Sequence, residues 1–331
     1  MNELVAVSGA EGFIGSHLVE LLVAKGYQVR AMVLYNSFAN RGWLDALGPA
    51  TLDSVQVYPG DVRDARSVLG FITGASTVYH LAALVSIPYS YRAPASYLDT
   101  NALGTLNVLE AVRHEETPRL VHTSTSEVYG SAQTVPINER HPLHAQSPYA
   151  ASKIAADQLV QSYHLSFGVP AVTLRPFNTY GPRQSARAVI PSIISQLAAG
   201  RHIVHLGATT PTRDFNFVED TAAAFATLGT APAERVVGHV LNAATGREVS
   251  IGSLVRMIGM VMGCSVEVSE EEDRLRPPAS EVNRLVGDSG ALRALTGWSP
   301  VHTLEDGLAL TVKWMSEPAH LGTYRVDEYA L

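Results

Sequence analysis

Cysteine is nearly absent from this chain of 331 residues, which contains Cys264 alone. A single thiol excludes an internal disulfide framework and any metal site built from several cysteines, so we expect a reducing, cytoplasmic location. The twelve histidines are scattered along the chain without the close spacing of a zinc motif. The sequence therefore predicts no metal site.

Long apolar runs are also missing. A run such as residues 18–23 is too short to span a bilayer, which needs roughly 20 apolar residues. A strand-like segment at residues 4–8 stands where a secretion signal would need a basic and then an apolar region. The formal charge of −7 is modest for this length and argues against a broad phosphate-binding surface. We expect neither a membrane nor a nucleic acid as a partner.

The first half of the chain alternates short β-branched runs with stretches of helical periodicity. The predicted strands are residues 5–8, 28–34, 55–58, 77–81, 119–123 and 171–175, and the predicted helices include residues 15–25, 96–114 and 148–167. This alternation is typical of right-handed βαβ crossovers. We therefore expect an α/β fold with a Rossmann-type doubly wound parallel sheet.

After about Pro176 the sequence changes to loops that are punctuated by proline and glycine, and helical patterns return around Asp220 and Leu254. We expect residues 1–175 to form the Rossmann domain, and residues 176–331 to form mainly a smaller C-terminal α/β substrate domain. Segments around residues 218–247 are expected to pack back on the first domain.

A glycine-rich loop follows the first predicted strand and opens the first predicted helix. Gly9, Gly12 and Gly15 stand where the backbone must turn tightly and approach a pyrophosphate, which the helix N-terminus would bind. Strand, loop and helix occur in the order that a dinucleotide site requires, so we expect NAD or NADP as the cofactor. The spacing G-x-x-G-x-x-G differs from the G-x-G-x-x-G of simple dehydrogenases.

The end of the second predicted strand leaves the choice between NAD and NADP open. Residues 35–37 read Tyr-Asn-Ser and offer no acid for the adenosine ribose hydroxyls. Arg30 and Arg41 are candidates for a 2′-phosphate but are typical of solvated surface arginines, and Asp61 is a candidate for the adenine amino group. Apart from the catalytic pair described next, the predicted cofactor-binding residues are Gly9, Gly12, Phe13, Ile14, Gly15, Asn36, Ser37, Asp61, Val62, Leu81, Ala82 and Ala83.

The densest group of reactive side chains follows the fifth predicted strand. Thr125, Ser126 and Glu127 lie at this strand end, and Tyr149 and Lys153 lie one turn apart on the next predicted helix. Ligands of open parallel sheets bind at these carboxyl ends. The ammonium would lower the pKa of the phenol, and a tyrosinate can take a proton from a substrate hydroxyl as hydride leaves the carbon. These five residues are the predicted catalytic set.

With these motifs the chain resembles the extended short-chain dehydrogenases, the NAD-dependent epimerase/dehydratase family, over nearly its full length. The match is carried by the glycine loop, by residues 124–127, 175–182 and 213–215, and by the pair Tyr149 and Lys153. The resemblance implies a nucleotide-sugar substrate, with Thr125 aligning its hydroxyl and the Tyr–Lys pair driving hydride transfer. It also implies a homodimer built on the helices at residues 96–114 and 148–167.

Glu127 narrows the reaction that the resemblance implies. Elimination needs a base for the C5 proton of the sugar, whereas a 4-epimerase only removes and returns hydride. The Thr-Ser-Glu signature looks like that of GDP-mannose 4,6-dehydratase, while dTDP-glucose 4,6-dehydratases have an acidic Asp in place of Ser126. UDP-glucuronate decarboxylases also carry Thr-Ser-Glu. A decarboxylase, a UDP-sugar 4-epimerase and a non-catalytic NAD(P)-sensing protein therefore remain alternatives to a 4,6-dehydratase.

Further segments resemble legionaminic-acid-type NDP-N-acetylglucosamine 4,6-dehydratases and imply an amino-sugar substrate. They are residues 35–38, 86–91, 181–191 and 280–282. Relatives with these segments could instead catalyse a 5,6-elimination, and the sequence does not distinguish the two reactions. Guanidinium groups suit a nucleotide diphosphate. The predicted substrate-binding residues are Ser86, Asn178, Arg187, Arg213 and Arg276.

Overall fold

The computed structural model describes residues 3–324 of the chain. Its strands, in chain order, are β1 Leu4–Ser8, β2 Gln28–Leu34, β3 Val55–Gly60, β4 Thr77–His80, β5 Leu120–Thr123, β6 Ala171–Pro176, β7 Asn178–Tyr180, β8 Ile203–Leu206, β9 Thr212–Arg213, β10 Phe215–Phe217, β11 Val240–Ala243, β12 Val249–Ser250 and β13 Glu267–Glu270. Its α-helices are α1 Phe13–Ala24, α2 Pro49–Leu52, α3 Ala65–Ile72, α4 Ile87–Arg92, α5 Pro94–Tyr97, α6 Gly104–His114, α7 Pro148–Phe167, α8 Val189–Ala198, α9 Val218–Thr230, α10 Ala233–Val236, α11 Ile251–Met262, α12 Gly290–Thr296, α13 Leu304–Met315 and α14 Pro318–Leu321. Within residues 3–324, no helix combines the length and the apolar character needed to cross a membrane.

One sheet of seven strands dominates the described part of the chain. Its strand order is β11-β6-β5-β4-β1-β2-β3, and every neighbouring pair is parallel. The chain winds outward from β1 first toward β3 and then, after returning to β4, toward β6, which is the arrangement of a doubly wound sheet. The predicted Rossmann-type fold is confirmed.

Helices cover both faces of this sheet, because its strands are apolar on both sides. Along β1, Val5 and Val7 point into a core shared with α1 and α9, while Ala6 between them points into a core shared with α3, α6 and α7. Each of these three side chains is at most 1% exposed. The two cores hold the carboxyl ends of the strands in one row, where a ligand can lie across them.

The predicted helix at residues 96–114 is interrupted. A π-helical segment, Leu98–Leu103, stands between α5 and α6. Its Asn101 accepts a hydrogen bond from the Leu84 backbone N–H at 2.8 Å, and donates to the Leu84 carbonyl and to Ser152 Oγ at 2.9 Å each. Through these three hydrogen bonds, the π-helical segment links the loop after β4 to α7.

A smaller core joins α8, α11, α13 and the short strands of the second half. Tyr180, Ile193, Phe217, Leu254 and Leu308 are all buried in it. The region from α9 to β11 lies instead against the large sheet, since α9 packs on α1 and β11 pairs with β6. The division of the chain into domains at residue 175 stays a prediction.

Candidate active site

A cavity of about 1230 Å³ runs along the carboxyl ends of the sheet strands. The glycine loop and the ends of β2 to β6 line one wall, and residues 183–188 with Arg276 line part of the other. Typical small-molecule sites occupy roughly 300–1,000 Å³. The volume therefore suits two ligands lying side by side.

The glycine loop packs so closely on neighbouring backbone that two of its positions have no room for a side chain. Gly9 has a φ of +68°, and a Cβ at this position would lie 2.7 Å from the Ala82 backbone nitrogen. A Cβ on Gly15 would lie 2.1 Å from the Gly9 carbonyl oxygen. Gly12 precedes α1, and no side chain among the described residues caps this helix. The free N–H groups of its first turn fit a dinucleotide pyrophosphate.

The structure does not bring Asn36 and Ser37 to the cavity. Asn36 folds its own loop, because its amide donates to the Asn40 carbonyl at 2.8 Å and its Oδ1 accepts from the Phe38 and Asn40 N–H groups at 3.1 Å each. Leu34 and Asn40 line the cavity at this point instead. Sequence reasoning missed this difference, since only the loop geometry shows where the Asn36 amide is used.

Asp61 lies where the sequence predicts it, in the cavity wall just after β3. Arg63 donates to both of its carboxylate oxygens, with Nη2 2.5 Å from Oδ2 and Nε 3.0 Å from Oδ1. These hydrogen bonds from Arg63 lower the pKa of Asp61. The carboxylate stays ionised and can accept a hydrogen bond from an amino group.

Sequence reasoning did not single out Glu11, which lies between two glycines of the loop and lines the cavity. Its Oε1 accepts a hydrogen bond from the Leu34 N–H at 2.9 Å. Burial raises the pKa of this carboxyl, although the bond from Leu34 opposes the rise. The chain has no acid after β2 but has one inside the glycine loop. This sequence signal could have identified Glu11.

The end of β5 presents the predicted hydroxyls and carboxylate to the cavity. Thr125 precedes a short 3₁₀ helix, Ser126–Tyr129, and its Oγ1 accepts the Glu127 N–H at 3.2 Å. Ser126 and Glu127 are 2% and 8% exposed, and both line the cavity. The capped 3₁₀ turn therefore fixes all three residues relative to β5.

Tyr149 and Lys153 line the cavity from α7, one turn apart as predicted. The expected lowering of the tyrosine pKa is wrong for the structure as it stands. Burial raises the pKa of Tyr149, a hydrogen bond with Thr125 opposes the rise, and the charge of Glu127 adds to it. Lys153 Nζ donates to the Thr123 carbonyl at 2.6 Å, and burial lowers its pKa to about 8.

A buried polar network stands behind these residues. Asp157, one turn beyond Lys153, accepts hydrogen bonds from Ser124 Oγ at 2.8 Å and from Arg175 Nη2 at 2.8 Å. Arg175 also donates to the Tyr129 hydroxyl at 3.0 Å. Because these groups are buried and mutually bonded, they lock α7 against β5 and β6. The network holds the Thr125 turn and the Tyr–Lys pair in one frame.

Four of the five predicted substrate-binding residues line the cavity. They are Ser86, Asn178, Arg187 and Arg276. Asn178 Oδ1 is buried and lacks a hydrogen-bond partner within residues 3–324, so a ligand donor would satisfy it.

Arg213, the fifth predicted substrate-binding residue, is buried and stands outside the cavity lining. Its Nη2 lies 3.3 Å from Glu281 Oε1, and Arg276 Nη1 lies 3.8 Å from the same oxygen. The two arginines therefore share one carboxylate.

No metal cluster is present in the described part of the chain, where no three His, Cys, Asp or Glu side chains are placed to hold an ion.

His17, on α1 beside the glycine loop, forms a hydrogen bond with the Pro182 carbonyl oxygen at 3.1 Å. Burial lowers its pKa to about 4. His17 is therefore a neutral packing residue at neutral pH.

Comparison with known proteins shows that this chain is similar to sugar-nucleotide enzymes. A family model described as GDP-mannose 4,6 dehydratase matches residues 6–311. A dTDP-glucose 4,6-dehydratase of Mycolicibacterium smegmatis is 30% identical over 312 residues, which cover 93% of this chain and 92% of that protein. A UDP-glucose 4-epimerase of the same organism is 33% identical over 316 residues, which cover 93% and 97%.

The fold is also similar to that of solved structures from the same group of enzymes. The dTDP-glucose 4,6-dehydratase DesIV of Streptomyces venezuelae, solved with NAD bound, superimposes with a TM-score of 0.82 at 28% identity. The match covers 95% of this chain and 97% of that one. Both chains therefore share the whole architecture around the cavity.

Proposed function

This chain belongs to the family described as GDP-mannose 4,6 dehydratase, and we propose that it is a nucleotide-sugar 4,6-dehydratase acting on an NDP-hexose or NDP-N-acetylhexosamine. The family comprises NAD-dependent nucleotide-sugar dehydratases and epimerases. Within this family, we assign dehydration through a 4-keto sugar as the reaction of this chain. The catalytic and binding roles given below are part of the same proposal.

NAD is the proposed cofactor, and the similar dehydratase with NAD bound supports it. The glycine loop would hold the pyrophosphate, Asp61 the adenine, and Tyr149 with Lys153 the nicotinamide ribose. NAD bound there would supply the acceptor for a hydride from C4 of the sugar and the donor that returns it at C6. The raised pKa of Tyr149 would fall on binding, because the oxidised ring is a cation.

The position of Glu127 carries the proposal. Its carboxylate lines the same cavity as Thr125 and Tyr149, and it lies close enough to the tyrosine to raise the pKa of the phenol. A 4-epimerase needs no carboxylate beside the sugar, whereas a dehydratase needs a base for the C5 proton. A buried carboxylate in this position suits elimination.

The residues then divide the chemistry among them. Thr125 aligns the C4 hydroxyl, and Tyr149 takes its proton while the hydride leaves C4. The resulting ketone acidifies the C5 hydrogen, which Glu127 removes as a proton. Glu127 returns this proton to the departing C6 hydroxyl, which leaves as water, because Ser126 is too weak an acid for that task. Hydride at C6 and a solvent-derived proton at C5 complete the 4-keto-6-deoxy product, and Tyr149 releases the proton taken from the C4 hydroxyl to solvent.

A UDP-sugar 4-epimerase is the second candidate, supported by the epimerase relative at 33% identity. Its chemistry needs only Thr125, Tyr149 and Lys153, all of which are present. The NDP-hexosamine 5,6-dehydratase and the UDP-glucuronate decarboxylase would use the same pair together with Glu127. A non-catalytic NAD(P)-sensing protein would not need the buried Tyr–Lys pair.

The test is mass spectrometry of the products after incubation with UDP- and GDP-N-acetylglucosamine in deuterated water. The 4,6-dehydratase predicts loss of water, a C4 ketone and one deuterium at C5. Loss of water without a ketone would indicate a 5,6-elimination, and an inverted C4 with no change in mass would indicate an epimerase. Absence of any product with either compound would contradict UDP- or GDP-N-acetylglucosamine as the substrate.

We further propose a homodimer that pairs the segment Leu98–Leu103 and α7 with the same elements of a second copy. Exposed apolar side chains on these elements support it, since Leu98, Leu103 and Leu165 are 49%, 52% and 75% exposed. Light scattering on the eluted peak should give twice the mass of the chain, and a monomer would contradict the pairing. A cytoplasmic location stays a prediction.

A further inference from the structure

The strand end that usually recognises the adenosine ribose has no acid in this chain, and its two candidate arginines are engaged elsewhere. Arg30 donates to Gln56 Oε1 at 2.8 Å and to the Thr73 carbonyl at 2.7 Å. Arg41 lies 2.6 Å from Asp45 in an ion pair. Neither guanidinium lines the cavity. Arg63 does line the cavity after β3, but it donates to both carboxylate oxygens of Asp61. Within the described residues, the region beside β2 therefore offers no unpaired guanidinium for a 2′-phosphate.

Glu11 brings a carboxylate to this same place from the other side. Its bond to the Leu34 N–H holds it at the last residue of β2, and its Oε2 is shielded from solvent and lacks a hydrogen-bond partner within the described residues. An unsatisfied carboxylate oxygen is costly to bury. A ligand hydroxyl that donates to this carboxylate would remove the cost.

The backbone of Glu11 is fixed as well as its side chain. The Trp43 N–H donates to the Glu11 carbonyl at 3.0 Å, and a Cβ on Gly42 would lie 2.6 Å from that carbonyl oxygen. The 3₁₀ segment Gly42–Ala46 therefore packs directly on the loop. With both ends held, the carboxylate cannot swing away from a ligand that approaches β2.

From these contacts we propose that Glu11 replaces the missing acid after β2 and selects NAD over NADP. Its carboxylate accepts a hydrogen bond from an adenosine ribose hydroxyl, and its negative charge opposes a 2′-phosphate at the same position. The inference rests on the proposed function only in that the cavity binds a nicotinamide dinucleotide. It does not depend on which sugar reaction follows.

The test is a competition between the two dinucleotides without any sugar. Charcoal-treated protein is incubated with equal concentrations of NAD⁺ and NADP⁺, the free dinucleotides are removed, and the bound ones are identified by mass spectrometry. Wild-type protein should retain NAD⁺ in large excess. Glu11→Gln keeps an acceptor for the Leu34 N–H but loses the charge, so the bound ratio should shift toward NADP⁺ by about 10- to 100-fold.

Glu305→Gln is the matched control, because it removes the same charge from a carboxylate that pairs with Arg247 outside the cavity. It should leave the ratio unchanged, and thermal melting checks that both variants are folded. An unchanged ratio in folded Glu11→Gln would overturn this inference and leave the proposed reaction intact. Wild-type protein that binds neither dinucleotide would overturn both.

Discussion

The adenosine end and the sugar end of the cavity carry opposite charge. At the adenosine end the nearby Arg63 is paired with Asp61, and Glu11 contributes a carboxylate of which one oxygen has no hydrogen-bond partner within residues 3–324. At the sugar end, Lys153, Arg187 and Arg276 line the cavity together with the single carboxylate of Glu127. Outside the lining, Glu281 is shared by Arg213 and Arg276. The first end is left with an excess negative charge and the second with an excess positive charge.

This difference explains how a chain with a formal charge of −7 can bind two phosphorylated ligands in one cavity. In the proposed function, backbone N–H groups at the start of α1 would bind the dinucleotide pyrophosphate, and they need no positive side chain. In the proposed function, the substrate diphosphate would be bound by guanidinium groups, which bind phosphate through paired hydrogen bonds. Local arrangement, and not net charge, decides which phosphate binds where.

Among substitutions that should affect one end of the cavity and not the other, Tyr149→Phe is expected to have the largest effect on activity. Removal of the hydroxyl should lower kcat by about 10²- to 10⁴-fold, the usual contribution of a positioned acid or base. The ratio of bound NAD⁺ to NADP⁺ should not change, because this ratio is set at the adenosine end. Steady-state kinetics and the competition assay measure the two quantities, and Tyr163→Phe on the same helix is the control. A changed ratio would show that the ends are not independent.

The buried Lys153 at the sugar end should make the free energy of unfolding depend on pH. Burial lowers its pKa from an ordinary value of 10.5 to about 8, with the charge of Asp157 opposing the shift. Between these two values the unfolded chain binds more protons than the folded one, so the free energy of unfolding of the wild type should rise with pH there. Holding a charged lysine below pH 8 therefore costs about 3 kcal/mol.

Lys153→Met should remove this cost. Relative to wild type, the variant should be most stable below about pH 8, and its advantage should shrink by up to about 3 kcal/mol as the pH approaches about 10.5. Urea unfolding at a series of pH values measures the difference. A difference that stays constant across this window would contradict the lowered pKa.

A smaller effect is expected at the substrate arginines. Arg276→Met should raise KM for the nucleotide sugar by about 10- to 100-fold with little change in kcat, because the lost contact is to the diphosphate and not to the reacting carbons. Arg284→Met is the control, since Arg284 pairs with Glu248 outside this cavity. A fall in kcat with an unchanged KM would place Arg276 in the chemistry.

Much of the fold follows from local sequence pattern. The strand Gln28–Leu34 and the helix Pro148–Phe167 lie at the predicted residues, because each has a clear period and a clear stop signal. Gly168 ends the helix in a left-handed conformation, with a φ of +70°. The glycine loop and the Tyr–Lys pair could equally be predicted from the sequence, since the residues of each motif are close together in the chain.

The rest depends on contacts between distant segments. The π turn at Leu98–Leu103 depends on Asn101 reaching Leu84 and Ser152, and no local pattern encodes that bond. The role proposed for Glu11 depends on its contact with Leu34, 23 residues along the chain. The pKa of Tyr149 depends on burial, which the spacing of Tyr149 and Lys153 does not reveal.

Deuterium exchange at C5 in a Glu127→Gln variant tests directly whether Glu127 removes the C5 proton. The variant is incubated with the nucleotide sugar in deuterated water, while nicotinamide absorbance reports oxidation at C4. If Glu127 is the C5 base, absorbance should still report oxidation, but no deuterium should enter C5 and no water should be lost. Exchange at the wild-type rate in the folded variant would contradict the role of Glu127 and with it the basis for proposing a dehydratase.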